Sequence, residues 1–400
     1  MTEKGVSKLS IKDLNLKGKR VFIRVDFNVP LKNGQVGDDT RIRAAMPTIK
    51  LAKEAGARVI LASHLGRPKG EKKPEFSLAP VAARLGEILG EKVIFSPDCI
   101  GEAAVNTIGS LEEGSVAVLE NVRFYDGETS NDPEFAAQLA ELADEYVNDA
   151  FGTAHRAHGS TVGVPQKLGK GAAGLLIDKE LDALSRALYS PEKPVAAIFG
   201  GAKISDKIPV IQNFLDVAQV IIIGGGMLFT FLKAQGKEIG NSLLEEDRID
   251  FVRELMEEAK SKGVELVLPV DVVAAPEFSA DAEGSVVSVD EIPSGSMGLD
   301  IGPETIEIFK EKLAGARTII WNGPMGVFEF EQFSHGTIGV AKAVASSEAF
   351  SVIGGGDSVS AINKAGVADQ VSHISTGGGA SLQFLSGKKL PGIEILTDKE

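Results

Sequence analysis

Val195-Ala196-Ala197-Ile198-Phe199-Gly200-Gly201-Ala202-Lys203 opens with five apolar residues and stops at two glycines beside a lysine. A short apolar run bounded by a turn signal fits a strand buried on both faces, as in a parallel sheet. The pattern recurs where Val220-Ile221-Ile222-Ile223 meets Gly224-Gly225-Gly226, and where Ser351-Val352-Ile353 meets Gly354-Gly355-Gly356-Asp357. In the first half of the chain the runs end differently. Val21-Phe22-Ile23 leads into Arg24-Val25-Asp26-Phe27-Asn28, Val59-Ile60-Leu61 into His64-Leu65-Gly66-Arg67, and Val116-Ala117-Val118-Leu119 into Asn121-Val122-Arg123. Ligands of open α/β sheets bind beyond the carboxyl ends of the strands. The contrast predicts two sites, one of cationic side chains and one of closely approaching backbone, each on its own sheet.

A length of 400 residues is ample for two domains with full cores, and 43% hydrophobic and 24% charged residues are ordinary globular values. The one cysteine, Cys99, supports neither a disulfide framework nor a thiolate metal cluster, which favours a reducing compartment. Met1-Thr2-Glu3-Lys4-Gly5 opens onto polar sequence, and no later stretch approaches the ~18 uninterrupted apolar residues of a membrane span, so a cytoplasmic location is expected. A net charge of −14 argues against a nucleic-acid or anionic-membrane partner, because such binding rests on broad basic surface.

Short β-rich runs alternate with helical periodicity, the signature of βαβ units. Helices are predicted over residues 44–55, closed by Gly56, and over 134–143, entered through Asn131-Asp132-Pro133. Further strands are predicted at 146–148, 265–268 and 318–321. Lys179 to Leu188 carries an apolar stripe at helical spacing, followed by the breaker cluster Ser190-Pro191-Glu192-Lys193-Pro194. The expectation is therefore an α/β protein of two doubly wound, Rossmann-like parallel-sheet domains. The first covers 1–178, a hinge helix and linker 179–194, the second 195–389, and a closing segment 390–400 expected to pack back on the first domain.

Arg24, Arg41, Arg43, His64, Arg67, Arg123, His155, Arg156 and His158 all fall at or near predicted strand ends. Guanidinium grips carboxylate or phosphate oxygens bidentately, so such a set suits a small, multiply anionic metabolite. Asp26 and Asn28 add hydrogen-bonding groups for hydroxyls, although Asn28-Val29-Pro30 equally fits turn chemistry. No cysteine or carboxylate spacing supports metal ligation by His155 and His158.

Gly200-Gly201-Ala202-Lys203-Ile204-Ser205-Asp206-Lys207-Ile208-Pro209 places two lysines around a predicted helix start, where amides and dipole already favour phosphate. The Gly-Lys-Ser/Thr ending of a Walker A loop is missing, and Gly224-Gly225-Gly226 lacks the third glycine of a dinucleotide fingerprint. Asp357, after Gly354-Gly355-Gly356, fits either a helix cap or the carboxylate that Mg²⁺ on a nucleotide takes. Ser375-Thr376-Gly377-Gly378-Gly379-Ala380-Ser381 forms a third glycine helix start, whose amides suit the oxygens of a transferring phosphoryl group.

With these residues in place the chain resembles the phosphoglycerate kinase family, of bacterial type, over essentially its whole length. The resemblance runs through Arg24 to Pro30, Ser63 to Pro68, Leu119 to Phe124, Phe151 to His158, Gly200 to Lys203, Trp321 to Glu329, Gly354 to Asp357 and Ser375 to Ser381. It implies that the first domain holds 3-phosphoglycerate or 1,3-bisphosphoglycerate through Asp26, Phe27, Asn28, Arg41, His64, Leu65, Gly66, Arg67, Arg123 and Arg156. It implies ADP or ATP with Mg²⁺ in the second, at Lys207, Gly298, Asn322, Pro324, Glu329, Gly355, Gly356, Asp357 and Ser358. Gly224, Gly225 and Gly226 would wall the adenine pocket, Glu329 would meet the ribose, and Asp357 the metal. Ser358 stands where the family commonly has threonine, which preserves the hydroxyl.

The implied chemistry is reversible phosphoryl transfer without a covalent enzyme intermediate, after hinge closure. Arg41, Lys203, Gly378 and Gly379 are expected at the transferring group, and a monomer is what the resemblance implies. Two rival readings are a nicotinamide-dependent dehydrogenase, which lacks its glycine fingerprint here, and a non-catalytic protein closing on a small anion. The second would not need Lys203, Asp357 and three glycine helix starts together.

Overall fold

The computed structural model describes residues 7–399; the opening Met1 to Val6 and the final Glu400 lie outside the described residues. The chain divides into two compact units. One runs to Asp182 and takes up the chain again from Lys389, and the other is Ala183–Lys388. The division falls inside a helix, Leu175–Tyr189, four residues longer at its start than the periodicity of 179–188 predicts.

Each unit is built on a six-stranded parallel sheet. In the first unit the order is Ile94–Phe95, Val116–Val118, Arg58–Ala62, Arg20–Arg24, Glu145–Asn148 and Ala172–Ala173. The chain starts in the middle at Arg20–Arg24, moves out to one edge, then returns to the other side. Strand order thus reverses between Arg20–Arg24 and Glu145–Asn148, the kind of switch point where open sheets leave a crevice.

The second sheet repeats the plan with Glu265–Val267, Val220–Ile223, Val195–Phe199, Thr318–Asn322, Phe350–Gly354 and His373–Ile374. Its switch lies between Val195–Phe199 and Thr318–Asn322. All ten residues of these two strands are buried, which is why they carry continuous apolar runs rather than alternation. Register aligns Phe199, Asn322 and Gly354 across three neighbouring strands, so Gly200, Gly323 and Gly355 emerge along one edge.

The helix predicted at 134–143 is Pro133–Ala140, with the Asp132 carboxylate accepting from the amides of Glu134 and Phe135 at 3.0 and 2.8 Å. The helix predicted at 44–55 is Thr40–Glu54. Its earlier start moves Arg41 and Arg43 onto a first helical turn, after a hairpin of Leu31–Lys32 and Gln35–Val36, rather than onto a sheet-strand end. The segment after Lys389 packs within the first unit. Leu390, Ile393 and Leu396 are buried, Leu9 N–H donates to the Thr397 carbonyl at 2.8 Å, and Asn148 Nδ2 donates to the Gly392 carbonyl at 3.0 Å.

One element is absent from the sequence-based plan. Asp271–Ala275 is the centre of a three-stranded antiparallel sheet with Ser285–Ser288 and Met297–Ile301. It packs Leu228, Phe229 and Leu232 against Val272, Val289 and Ile292 in a small cluster of its own.

Candidate active site

In the second unit the glycine turns interlock through backbone. Gly201 N–H donates to the Pro324 carbonyl at 2.9 Å, Gly225 N–H to Met325 at 2.9 Å, and Met227 N–H to Gly201 at 3.0 Å. Gly225 has φ +68, and a Cβ there would lie 2.5 Å from the Gly201 nitrogen and 2.8 Å from the Pro324 oxygen. Gly225→Ala should therefore destabilise the unit by at least ~1–2 kcal/mol, the cost of an L-residue in left-handed backbone before any clash. A lowered urea midpoint at unchanged slope would show it.

Beyond these turns opens a cavity of about 400 Å³, lined by Gly201, Ala202, Gly225, Gly226, Gly298, Pro324, Glu329 and Asp357 among others. Gly224 is not among them; a Cβ there would meet Met325 Sδ at 2.5 Å, so this glycine serves packing. The cavity's apolar walls come from residues the sequence reading passed over: Leu228, Phe229, Leu243, Phe278, Met297 and Val327. Leu243 and Phe278 are 60% and 62% exposed, unusual for such large side chains, and both line this opening. The β-branched pairs Val272-Val273 and Val286-Val287 were the signals for the antiparallel sheet, whose strand Met297–Ile301 lines this cavity.

Polar groups cluster around the neighbouring Asn322-Gly323 turn. Lys207 precedes the helix Ile208–Phe214, in which Pro209 occupies the first turn as the sequence required. Its Nζ donates to Asn322 Oδ1, and burial holds its pKa below the usual lysine range against the opposing pull of Asp206 and Asp357. Ser358 is fully buried, and its hydroxyl accepts from Gly323 N–H at 2.6 Å; it fixes the Asn322-Gly323 turn from behind. Asp357 is exposed in the first turn of Gly356–Lys364, and the helix has no side-chain cap. Its carboxylate has no hydrogen bond or ion pair among the described residues. A lone carboxylate beside first-turn amides fits an ion bridging to phosphate oxygens, as Mg²⁺ requires.

Lys203 is also exposed, without an ion pair among the described residues. Gly378, at φ +49, precedes the helix Gly379–Leu385; the turn is braced by Gly377 N–H donating to Ser375 Oγ at 3.1 Å and by a 2.5 Å contact of Ser375 and Ser381 hydroxyls. The Gly378 and Gly379 amides keep no partner among the described residues, as first-turn amides do.

In the first unit the predicted residues form one hydrogen-bonded thread. Arg41 Nη1 donates to both Asp26 carboxylate oxygens at 3.1 Å and to the Asn28 carbonyl at 3.2 Å. Asn28 Oδ1 accepts from Gly66 N–H at 2.9 Å, and the Gly66 carbonyl accepts from Arg123 Nη1 at 2.9 Å. Asn121 Oδ1 holds the amides of Leu65 and Arg123 at 3.2 and 3.0 Å, aligning the two loops. Phe27 and Leu65 are buried, so only their backbone faces this thread. Arg67, Arg123 and Arg156 share a cavity of about 540 Å³ with Lys69, Tyr125 and His158. Arg123 Nε is buried without a partner, and burial, then Arg24 and Arg156, push its pKa down to about 10. Cations crowded together around open space fit an anion.

Two of the cations singled out by sequence do not join them. Arg43 is held by Asp39 at 2.8 and 3.0 Å, and Arg24 is fully buried with its nitrogens bonded inside the protein. His155 accepts from Arg156 Nε at 3.2 Å. Among the described residues no group of three or more His, Cys, Asp or Glu side chains is placed to hold an ion.

Burial, then Arg123 and Arg24, push His158 down to about 4. The unfolded chain takes up that proton near pH 6.5 and the folded chain only near 4, so His158 contributes stability above 6.5 that is lost as pH falls toward 4. His158→Gln should flatten the decline in unfolding free energy between pH 6.5 and 4 by up to one proton's slope, measured by urea titrations across that range.

Two parallel sheets, each with its switch point, one unit carrying a cation-lined cavity and the other interlocked glycine turns, define a two-unit, doubly wound α/β protein. A family profile described as phosphoglycerate kinase matches residues 11–388. The phosphoglycerate kinase of Thermosipho africanus is 57% identical over 399 residues, 99% of each chain, and that of Koribacter versatilis 57% identical over 403 residues, 98% of this chain and all of its own. The solved phosphoglycerate kinase of Coxiella burnetii superposes with a TM-score of 0.90 at 47% identity, covering 97% of this chain and 98% of that one. That of Pyrococcus horikoshii gives 0.80 at 35% over the same shares. The chain belongs to the phosphoglycerate kinase family, and is thereby a phosphotransferase whose acceptor is a carboxyl group. Among the described residues no helix is long and apolar enough to cross a membrane.

Proposed function

We propose that the chain catalyses reversible, Mg²⁺-dependent phosphoryl transfer between 1,3-bisphosphoglycerate and ADP, giving 3-phosphoglycerate and ATP. The observation that carries this reading is the pairing of an unpartnered carboxylate, Asp357, with glycine-lined space in one unit and an arginine-lined cavity in the other. Arg67, Arg123 and Arg156 take the phosphate of phosphoglycerate. Asp26, Asn28 and His64 orient its hydroxyl and carboxylate, with the backbone of Phe27, Leu65 and Gly66 completing the contact. The adenine lies between Gly225, Gly226, Gly298 and the apolar walls, Glu329 meets the ribose hydroxyls, and Lys207, Asn322, Pro324, Gly355 and Gly356 meet the phosphate chain. Asp357 holds the metal; bound there, Mg²⁺ would neutralise charge on the nucleotide phosphates.

The protein's contribution to the chemical step is alignment and charge stabilisation. Arg41, Lys203 and the amides of Gly378 and Gly379 contact the transferring phosphoryl group. Because the two ligands belong to different units, a hinge in the connecting helix and linker brings them in line and excludes water. The enzyme is expected to act in the cytoplasm as a monomer.

A coupled assay tests the reading. ADP should form from ATP only when both Mg²⁺ and 3-phosphoglycerate are present. ATP turnover without 3-phosphoglycerate, or no turnover with it, would reject the assignment.

A further inference from the structure

We propose that Arg24 is a positioning residue that fixes His64 as the neutral tautomer protonated on Nε2, so that His64 meets phosphoglycerate as a hydrogen-bond donor. The functional half of this proposal rests on the reading that His64 binds that substrate; the tautomer itself does not.

Arg24 stands at the end of a central strand, where a cation reaching for an anionic ligand would be placed, yet its side chain is fully buried. Every guanidinium nitrogen is engaged inside the protein. Nε donates to Ser160 Oγ at 2.7 Å, Nη1 donates to the Val25 carbonyl, and Nη2 lies 3.3 Å from His64 Nδ1. Behind it is a buried counter-charge: Glu128 Oε1 is 4.0 Å from Nη2, and Glu128 accepts from both the amide and the hydroxyl of Ser160 at 2.8 and 2.7 Å. Ser160 Oγ therefore accepts from Arg24 and donates to Glu128, which fully orders its single proton. This buried group is paired on every side and cannot swing toward a ligand without breaking the set.

Guanidinium has donors only and keeps its proton in proteins. The His64 nitrogen facing it must then offer a lone pair, which excludes both the Nδ1-protonated tautomer and the imidazolium. The one ring proton is left on Nε2. Charge points the same way: burial, then Arg24, Arg123, Arg41 and Arg156, hold His64 well below the usual imidazole range. The carboxylate and phosphate oxygens of the substrate are acceptors, so a ring with the opposite tautomer would turn a lone pair toward them. Arg24 thus supports binding through a neighbour it polarises and orients, as outer partners of metal-bound histidines do.

The test is ¹⁵N NMR of the histidine ring nitrogens in the full-length unliganded protein, with His64 assigned by comparison with His64→Gln. The proposal predicts an unprotonated signature at Nδ1 and a protonated one at Nε2, unchanged from pH 8 to pH 6. A protonated Nδ1, or a charged ring, would overturn it. In Arg24→Gln, whose amide both donates and accepts, the Nδ1 shift should move toward mixed tautomers. KM for 3-phosphoglycerate should rise about tenfold or more, the loss of one hydrogen bond to a charged group, while KM for ATP stays put. If Arg24→Gln does not fold, Ser160→Ala, which frees the Nε end of Arg24, is expected to shift the same signals. An unmoved Nδ1 signal and KM in the folded variant would reject the positioning role. Because the spectra need no substrate, inactivity toward 3-phosphoglycerate would refute the functional reading and leave the tautomer separately measured.

Discussion

Lys203→Ala is expected to lower kcat by about 10²–10³, the cost of removing one preorganised charge-stabilising group from a transition state. The reasoning starts from position. Lys203 follows the glycine turn that ends a fully buried central strand, and it is exposed without an ion pair among the described residues. Lys207, four residues on, is instead bonded to Asn322. On the proposed reading the two lysines divide the work: Lys207 would serve ground-state binding, Lys203 the charge that develops during transfer. Nucleotide affinity measured by calorimetry should change little in Lys203→Ala, since interactions made only in the transition state leave binding intact. Wild-type turnover in that variant would remove Lys203 from the chemistry.

Arg41→Met should cause a loss of similar size in kcat/KM for 3-phosphoglycerate, again about 10²–10³. Arg41 is only partly committed: Nη1 is held by Asp26 and Asn28, while Nε and Nη2 have no partner among the described residues. Asp26 thus fixes the arm and leaves two donor directions open, the arrangement expected of a group that grips a moving phosphoryl oxygen. Methionine keeps the flexible apolar stem of the arm and removes its donors. If Arg41 and Lys203 contact the same group, their effects will not add. The double variant should be scarcely slower than the slower single variant, as for residues that act as a unit. Steady-state kinetics of the four proteins checks this, and full additivity would place the two residues at separate steps.

The central strands were legible because their environment admits one reading. Val195 to Phe199 and Thr318 to Asn322 are buried on both faces, so they carry the apolar runs Val195 to Phe199 and Ile319 to Trp321, and their ends are marked by glycine. The antiparallel sheet was not legible in the same way. Asp271–Ala275 mixes buried polar and apolar positions, and Ser285–Ser288 is half exposed, so neither produces a strong run. The apolar wall of the adjoining cavity, including Phe229 and Phe278, was passed over too, because in sequence these residues are indistinguishable from core. The start of Thr40–Glu54 was missed by four residues because three of its first four residues, Thr40, Arg41 and Arg43, are polar and Asp39 makes no capping hydrogen bond. Charge gave the least reliable guide. Arg24, Arg41 and Arg43 look alike in the chain, yet one is buried beneath the site, one is poised at it, and one is tied to Asp39. What separates them is which carboxylates and carbonyls the fold brings near, and this depends on contacts far apart in sequence.

Direct in-line transfer between ligands held by different units is the central claim, and the configuration at the transferred phosphorus tests it most directly. With ATP made chiral at the γ-phosphorus by oxygen isotopes, a single transfer to 3-phosphoglycerate should invert that centre. Retention would mean an even number of transfers through a phosphorylated residue of the chain, and would contradict the account.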